Sequence, residues 1–222
     1  MQGDLRPTPI PLRRAGIYFA AGLLWLYYLY TLFSLPDVSR LQHEPPRLTA
    51  MMQSVGGELH YEWMPLAQIA RTLQRAVIAA EDDQFYRHHG FDWNAIRHAA
   101  HINWKRGRFA KGASTITQQV AKNLYLSRSK NPFRKFKEFF IALALERELS
   151  KDRILELYLN IAEWAPGVYG AEAAAQHYFK RPARELSGPQ AAFLASILPN
   201  PAKLGRRGFH LTPRALLILR MM

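Results

Sequence analysis

The feature that most constrains this chain is a stretch near its N-terminus, from Ala15 to Leu35, that contains no charged residue. As a helix, at about 1.5 Å per residue, the stretch would be roughly 31 Å long and would match the ~30 Å hydrocarbon core of a bilayer. A cleaved signal peptide is the alternative, but its apolar part is usually only ~7–15 residues long, and no convincing small-x-small cleavage site follows here. The sequence therefore predicts an uncleaved transmembrane helix.

The residues on either side of this stretch predict its orientation. Arg6, Arg13 and Arg14 precede it and only Asp4 opposes them, so the N-terminus is expected to stay in the cytoplasm. The segment that follows contains paired prolines and paired glycines, which favour an extended linker over a helix. The predicted regions are a cytoplasmic N-terminus (1–14), a transmembrane anchor (15–35), a linker (36–57) and one globular domain (58–222).

Beyond the linker, apolar residues recur at the helical period, and helix-starting residues separate the runs. Pro65 and Pro132 stand at first-turn positions, and Ser150 can cap a further helix. No run of alternating strand residues and no internal repeat is present, so the predicted fold class is mostly α. The predicted helices cover 66–80, 132–149, 151–159, 170–180 and 189–198.

The composition limits what the domain can be. Thirty Lys and Arg against 17 Asp and Glu give a net charge of +13, which favours a polyanionic partner such as nucleic acid, an anionic membrane surface or a diphosphate. The chain has no cysteine, which excludes disulfides, zinc-thiolate sites and a thiol nucleophile. Its 222 residues leave room for one ordinary domain with a short extension, and not for a second catalytic domain.

Three consecutive acids, residues 81–83, end an apolar helical pattern. Acids are unfavourable at this end of a helix, where the macrodipole is negative, so their presence suggests a purpose other than stability. The alternative is a solvated acidic turn. Phe85 and His88 favour the first interpretation, because they can pack against a carboxylate and orient it, and Gly90 allows a sharp turn of the chain.

A second polar segment runs from Gly112 to Asn123. At about 100° per residue, Thr115, Gln118, Gln119 and Lys122 fall on one stripe of a helix. The stripe contains amides, a hydroxyl and an ammonium group but no acid, which suits a sugar or a phosphate. An ordinary solvated helix face is the alternative.

A third segment contains an acid with an apolar neighbourhood. Glu138 shares its predicted helical face with Ile141 and Leu145, so it is expected to be partly buried, and Arg134 lies one turn before it. The simplest interpretation is a salt bridge on a core helix. A half-buried glutamate beside Arg134 and Lys135 also suits a site that handles a negatively charged group.

Together these segments resemble the lipid II-polymerising glycosyltransferase family, which occurs as monofunctional enzymes and as the N-terminal domain of bifunctional penicillin-binding proteins. The resemblance extends from about Trp63 to Pro201 and rests on five ordered motifs. The motifs are Glu81-Asp82-x-x-Phe85-x-x-His88-x-Gly90, Gly112-x-Ser114-Thr115-Ile116-x-Gln118-Gln119-x-x-Lys122-Asn123, Arg134-Lys135-x-x-Glu138, Ile154-Leu155-Glu156-x-Tyr158-Leu159-Asn160 with Gly167, Gly170 and Tyr178-Phe179, and Leu194-Ala195-x-x-Leu198-Pro199-x-Pro201.

The resemblance implies a lysozyme-like catalytic domain in which the 4-hydroxyl of an acceptor lipid II attacks the anomeric carbon of the growing chain and displaces undecaprenyl diphosphate with inversion. It implies Glu81 as the general base, and Glu138 as the residue that assists the leaving diphosphate, directly or through a divalent cation. No cofactor is required, and Mg²⁺ or Mn²⁺ is possible. The implied substrate-binding residues are Asp82, Phe85, His88, Gly112, Ser114, Thr115, Gln118, Gln119, Lys122, Asn123, Arg134, Lys135, Tyr158 and Asn160.

The resemblance also implies a location and partners. The catalytic domain is expected on the periplasmic side of the bacterial inner membrane, held by a single transmembrane helix. The expected partners are lipid II, the growing glycan strand, the membrane and proteins of cell-wall synthesis or division, and no nucleic acid is expected.

Other functions fit the sequence less well. A lysozyme-like glycan hydrolase also uses two carboxylates, but one must protonate a poor leaving group, and adjacent cations oppose that role. A membrane-tethered nucleic-acid binder would account for the charge but not for acids within the motifs. A bifunctional penicillin-binding protein would need a Lys-Thr-Gly partner for Ser127-x-x-Lys130, and the sequence has none. The segment 164–170 and an end near Met222 are similar to the monofunctional enzymes.

The segment from Trp93 to Phe109 mixes apolar residues with Lys105, Arg106 and Arg108. This composition predicts a helix or loop in the membrane interface, where aromatic residues enter the headgroup region and cations meet anionic lipid. The alternative is an ordinary packed helix whose basic end faces water.

Overall fold

The computed structural model describes residues 12–46, 48–54, 56–108, 112–126 and 132–222. The chain divides at Pro36 into two compact units, Met1–Pro36 and Asp37–Met222. The first unit contains helix α1, Leu12–Phe33, which covers most of the stretch predicted to span a membrane. Within the described residues, no helix combines the length and the apolar character needed to cross a bilayer.

The second unit is mostly helical, as predicted, with one small sheet. Its helices are α2 (Ala50–Gln53), α3 (Arg71–Glu81), α4 (Trp93–Arg106), α5 (Ile116–Tyr125), α6 (Pro132–Glu148), α7 (Lys151–Ile161), α8 (Ala171–Phe179), α9 (Gly188–Ile197), α10 (Pro201–Leu204) and α11 (Pro213–Met221). Its strands are β1 (His60–Tyr61), β2 (Glu163–Ala165) and β3 (Val168–Tyr169).

Side-chain caps define where several of these helices begin. The hydroxyl of Ser150 accepts from the backbone N–H of Arg153, as predicted for the start of α7. Asp92 accepts from two backbone N–H groups at the start of α4. Thr115 and Gln118 form a capping box at the start of α5, in which each side chain bonds the other's backbone. Such caps satisfy N–H groups that have no partner within the helix.

The first predicted helix of the domain begins later than its apolar pattern indicates. Leu66–Gln68 is a single 3₁₀ turn, and the α-helix starts only at Arg71. Between them Ala70 is extended, with φ −49° and ψ 132°, and its N–H donates to the carbonyl of Ala183 at 3.1 Å. A tertiary hydrogen bond thus competes with the local helical preference and breaks the pattern in two.

The segment predicted as a linker, 36–57, also differs from an extended chain. It contains a 3₁₀ turn, Ser39–Gln42, and the short helix α2. Leu41 and Met52 are buried, and the Arg153 guanidinium donates to the carbonyl of Leu41 at 2.6 Å. Burial of these apolar side chains places Asp37 onwards in the same compact unit as the predicted catalytic domain.

The sheet has the order β1-β3-β2, with β1 parallel and β2 antiparallel to β3. Each strand has only two or three residues, which is too short for alternation to be recognised in the sequence. Gly167 lies in the turn between β2 and β3 with φ +76°, and a Cβ there would lie 2.5 Å from the carbonyl oxygen of Glu58. Only glycine fits this turn without moving the backbone.

Two groups of helices form the core of the domain. In one, α9 packs against α3 and α11, and in the other, α5 packs between α6 and α7. Leu73 and Val77 of α3 and Ile116 and Val120 of α5 are fully buried. The C-terminal end of α3 meets the N-terminal end of α5, because the carboxylate of Asp82 accepts from the N–H of Ile116 at 2.9 Å.

Asn160→Ala is expected to destabilise the domain by about 2–4 kcal/mol, because it leaves buried polar groups without partners. The fully buried Asn160 amide bonds the N–H and the C=O of Met64, each at 2.8 Å, and the C=O of Glu156 at 2.8 Å. Chemical denaturation measures the loss. Asn200→Ala is the control, since it removes only the cap of the short helix α10 and should cost about 1 kcal/mol. Equal losses in the two variants would contradict the prediction.

Candidate active site

Glu81 is the last residue of α3, and its carboxylate has partners on two other helices. Its Oε2 accepts from the amide Nε2 of Gln119 on α5 at 2.9 Å. Its Oε1 lies 3.5 Å from the Arg214 guanidinium on α11. Burial raises the pKa of Glu81 above its usual range, against the opposing effects of the Gln119 hydrogen bond and the Arg214 and Lys122 charges. The environment of Glu81 therefore makes it a stronger base than an exposed glutamate.

A hydrogen-bond chain fixes the Gln119 amide beside this carboxylate. The Tyr158 hydroxyl, on α7, donates to Oε1 of Gln119 at 3.3 Å, and the other end of the amide donates to Glu81. Tyr158 is almost completely buried, and burial raises its pKa well above the usual range. The phenol therefore stays neutral, and its O–H can keep the amide oriented with its NH₂ toward Glu81.

The carboxylate of Asp82, next to Glu81, is hydrogen-bonded to groups of the fold. Its two oxygens lie 2.9 and 3.0 Å from Nε2 of His88, and one of them accepts from the N–H of Ile116. Phe85 is fully buried and packs its ring edge to face against His88, with centroids 6.3 Å apart. Asp82, Phe85 and His88 of the first motif therefore pack together as one unit next to Glu81.

Glu138 lies in a different environment. It is almost completely buried, where the sequence predicts partial burial, and each carboxylate oxygen accepts from a cation: Arg134 donates to Oε2 at 3.0 Å and Lys135 donates to Oε1. Lys135 also donates to the hydroxyl of Ser114 at 3.1 Å. The third motif is therefore connected to the loop that precedes α5.

Lys122 interacts electrostatically with both Glu138 and Glu81. It is half-buried, and burial lowers the pKa of its ammonium group from the usual range. The charges of Glu138 and Glu81 oppose this effect, whereas Arg134 and Lys135 add to it. Three cations thus lie close together with one buried carboxylate among them, an arrangement that attracts a multiply charged anion.

A cleft of about 720 Å³ opens beside Glu81. We call it the Glu81 cleft. Gln119 also borders a smaller cavity of about 120 Å³ that includes Lys122, Asn123 and Tyr158. The residues that line the Glu81 cleft come from five segments of the chain: Ala79, Ala80, Glu81, Asp82, Asp83, Asp92, Ala95, Gly112, Ala113, Ser114, Thr115, Gln119, Pro199, Arg214 and Met221.

Several of the residues implied as substrate contacts are buried and bonded within the fold. Thr115 and Gln118 are buried and are used by the capping box, with the Thr115 hydroxyl also donating to the carbonyl of Gly90 at 2.6 Å. Asn160 is buried and bonds only backbone groups of Met64 and Glu156. Of the predicted polar stripe on α5, Gln119 and Lys122 are the members that the structure leaves partly accessible.

Several residues of this region were not identified from the sequence. Arg214 lies beyond the five motifs. Glu146 accepts from the Thr117 hydroxyl at 2.5 Å and from Lys151 at 2.7 Å, and the Lys151 ammonium lies 4.6 Å from the centroid of the Phe85 ring. An acid in the last turn of α6 carries no signal in the sequence that would separate it from a surface residue.

The described residues bring no three His, Cys, Asp or Glu side chains together in a way that could hold a metal ion. The carboxylate of Glu138 already accepts from two cations. The chemistry below uses the chain's own side chains.

A mostly helical domain with a basic carboxylate in a cleft, and with a cation cluster nearby, has the parts of an enzyme that transfers a group from an anionic leaving group to a hydroxyl. A family model described as Transglycosylase matches residues 49–222. The chain belongs to this family.

Named relatives agree with this assignment. The chain is 49% identical over 191 residues to the biosynthetic peptidoglycan transglycosylase of Alcanivorax borkumensis, which covers 85% of this chain and 78% of the relative. It is 44% identical over 203 residues to the protein of the same name from Pasteurella multocida, covering 87% and 82%. The protein of that name from Laribacter hongkongensis is 43% identical over 190 residues, covering 82% and 83%.

The pKa of Glu81 leads to a prediction about stability. Because burial raises the folded-state pKa above the unfolded one, stability is lost as the pH rises through the folded pKa and this carboxylate ionises. Glu81→Gln has no charge to bury, so its melting temperature is expected to exceed that of the wild type at pH 7–8. Below the unfolded pKa the wild type is already protonated, and the difference should disappear near pH 4. Thermal denaturation between pH 4 and 8 measures it.

The control for this prediction is Glu138→Gln, which removes the partner of Arg134 and Lys135. That variant should be less stable than the wild type at pH 7, since it leaves cations without their buried counter-ion. A Glu81→Gln protein that is less stable than the wild type at pH 8 and equal to it at pH 4 would contradict the prediction.

Proposed function

We propose that this chain is a peptidoglycan glycosyltransferase that polymerises lipid II into glycan strands with release of undecaprenyl diphosphate. The observation that carries the proposal is the division of two carboxylates between two environments. Glu81 faces a cleft with an amide and a distant guanidinium as partners, whereas Glu138 is buried and bonded to two cations.

Glu81 is proposed as the general base. A sugar hydroxyl is a poor nucleophile and needs a positioned base to take its proton as the new bond forms. Gln119 holds one oxygen of Glu81 without neutralising it. In the proposed reaction, the acceptor 4-hydroxyl gives its proton to Glu81 as its oxygen bonds to the donor anomeric carbon, and the bond from that carbon to the diphosphate breaks with inversion.

The cluster around Glu138 is proposed as the site of the leaving diphosphate. A diphosphate is already a good leaving group and needs positive charge more than it needs a proton. Lys122, Arg134 and Lys135 supply that charge, and Glu138 holds the last two in position.

The other implied substrate residues divide by accessibility. Ser114 and Gly112 are exposed at the Glu81 cleft, and Asn123 borders the smaller cavity, so we propose these as direct contacts. Asp82, Phe85, His88, Thr115, Gln118, Tyr158 and Asn160 are proposed to act by holding the contacting residues in place.

A glycan hydrolase is less well supported. Hydrolysis of a glycoside needs a carboxylic acid that protonates an alkoxide leaving group. Both oxygens of Glu138 accept hydrogen bonds from cations, so Glu138 does not suit the role of that acid. Glu81 could fill it by its raised pKa, but the similarity to biosynthetic peptidoglycan transglycosylases favours transfer over hydrolysis.

Polymerisation of labelled lipid II by the purified protein in detergent tests the proposal. Glu81→Gln is expected to reduce the rate by at least about a hundredfold, since loss of a general base typically costs ~10²–10⁴. Glu138→Gln should also lose most activity, with more remaining, because the amide can still orient its neighbours. Glu185→Gln, an exposed change outside the site, is the control. Hydrolysed monomer as the only product, or an active Glu81→Gln enzyme, would overturn the proposal.

We also propose that α1 anchors the chain in the bacterial inner membrane, with the catalytic domain on the periplasmic side. Apolar side chains of α1 are exposed on all sides of the helix, among them Ile17, Phe19, Leu24 and Leu26, and they need an apolar environment. Cell-wall synthesis or division proteins are proposed as partners at this membrane.

The surface of α4 is proposed to dock the domain on the lipid headgroups. Trp104 has 88% of its surface exposed and Trp93 60%, and Lys105 and Arg106 occupy the last turn of the helix. Phe109, the other aromatic residue predicted for this role, lies outside the described residues. Exposed tryptophans beside cations suit the membrane interface.

A truncated protein without residues 1–36 is expected to bind anionic liposomes, and Trp104→Glu with Phe109→Glu should weaken this binding. The double variant should slow polymerisation on liposomes more than in detergent, because it removes docking and leaves the chemistry intact. Liposome co-sedimentation and paired rate measurements check both effects. Leu48→Glu is the control at another exposed apolar residue. Equal binding and equal rates for wild type and double variant would remove α4 from this role.

A further inference from the structure

Arg214 and Glu81 each occupy a position that is locally unfavourable. Arg214 is the second residue of α11, which Thr212 caps, and a cation at a helix N-terminus opposes the macrodipole. Glu81 is the last residue of α3, and an acid at a helix C-terminus is unfavourable for the same reason. The two side chains meet, with Nη2 of Arg214 lying 3.5 Å from Oε1 of Glu81. The attraction between the two side chains therefore offsets the unfavourable interaction of each charge with the dipole of its own helix.

The position of the Arg214 side chain is set by the packing of its helix. Ala215 and Ile218 of α11 are buried, and the helix packs against both α3 and α9. The guanidinium also lies 3.4 Å from the carbonyl oxygen of Ala80, in the last turn of α3. The Arg214 guanidinium thus lies near both the carbonyl groups at the negative end of α3 and the carboxylate of Glu81, the last residue of that helix.

We infer that Arg214 is a positioning residue for the general base: its guanidinium holds the Glu81 carboxylate oriented toward the Glu81 cleft. This inference rests on the proposed function, because it assigns Arg214 a role in the protonation of the acceptor-activating group. Arg214 lies outside the five motifs, and nothing in its local sequence indicates such a role.

The charges that face Glu81 from every neighbouring element support this assignment. Lys122 of α5 and Arg214 of α11 favour the ionised carboxylate, whereas the adjacent Asp82 disfavours it. Tyr158 of α7 is neutral. Burial raises the pKa of Glu81, and Arg214 opposes this rise more than Lys122 does. Arg214 is therefore the principal charge that keeps the base available for a proton.

The length of the contact suits this role. At 3.5 Å, with 46% of the Arg214 side chain exposed, the pair is a loose electrostatic contact and not a tight bidentate salt bridge. A bidentate arginine would hold the carboxylate strongly in its ionised form and would weaken it as a base. During the reaction Glu81 gains the hydroxyl proton and becomes neutral, and a loose partner loses little when that happens.

The test compares Arg214→Gln, Arg214→Lys and wild-type full-length enzyme by kcat/KM for lipid II between pH 5 and 9. In Arg214→Gln, kcat/KM is expected to fall about threefold on the acidic limb of the pH profile, where a smaller fraction of Glu81 is ionised than in the wild type. On the plateau kcat/KM should approach the wild-type value. Arg214→Lys should recover most of the loss. Arg220→Gln removes the same charge from an exposed position of the same helix and should leave the profile unchanged.

Two other results would overturn the inference. A loss that is equal at every pH and appears mainly as a higher KM would make Arg214 a substrate ligand. A lower melting temperature with an unshifted acidic limb would make it a structural residue.

A second measurement separates this inference from the proposed function. NMR titration of the ¹³C-labelled Glu81 carboxyl in wild type and Arg214→Gln, without substrate, should show protonation at higher pH in the variant. If the wild type failed to polymerise lipid II, the proposed function would fall, and this titration would still test the contact. An unchanged titration would overturn the inference even in an active enzyme.

Discussion

The hydrogen bond from the N–H of Ile116 to Asp82 is the contact on which the rest of the site depends. It places the carboxyl end of α3, which is negative, against the amino end of α5, which is positive. Asp82 is unfavourable at the negative C-terminus of α3 but favourable at the positive N-terminus of α5, and the second interaction lowers the electrostatic free-energy cost of the acidic segment. Because Glu81 and Gln119 lie on opposite sides of this junction, their 2.9 Å hydrogen bond follows from it.

The two glutamates illustrate how one fold can assign different chemistry to the same side chain. Glu138 lies among cations and is satisfied, so it stabilises the arrangement of Arg134 and Lys135. Glu81 is buried with weaker partners, and its raised pKa means that its ionised form reduces stability at neutral pH. The carboxylate that is the stronger base is therefore also the one whose ionised form the fold stabilises less.

Local features of the sequence predict most of the helices and the burial of Glu138, because periodicity and capping residues act within one turn or two. The sequence does not predict contacts that join distant segments. Ala70 interrupts a helical pattern because its N–H donates to the carbonyl of Ala183. Asn160 joins two distant segments because its side chain bonds the backbone N–H and C=O of Met64. Arg214 reaches Glu81 only through the packing of α11 on α3. Such positions need the tertiary structure to be identified.

The start of α5 shows why these contacts must act together. The capping box uses Thr115 and Gln118, the hydroxyl of Thr115 bonds the carbonyl of Gly90, and Asp82 bonds the first helical N–H. Each contact fixes the same register. A slip of one residue would turn every side chain of α5 by about 100° and would carry Gln119 and Lys122 away from the two carboxylates. The buried part of the polar stripe, Thr115 and Gln118, therefore determines where the accessible part lies.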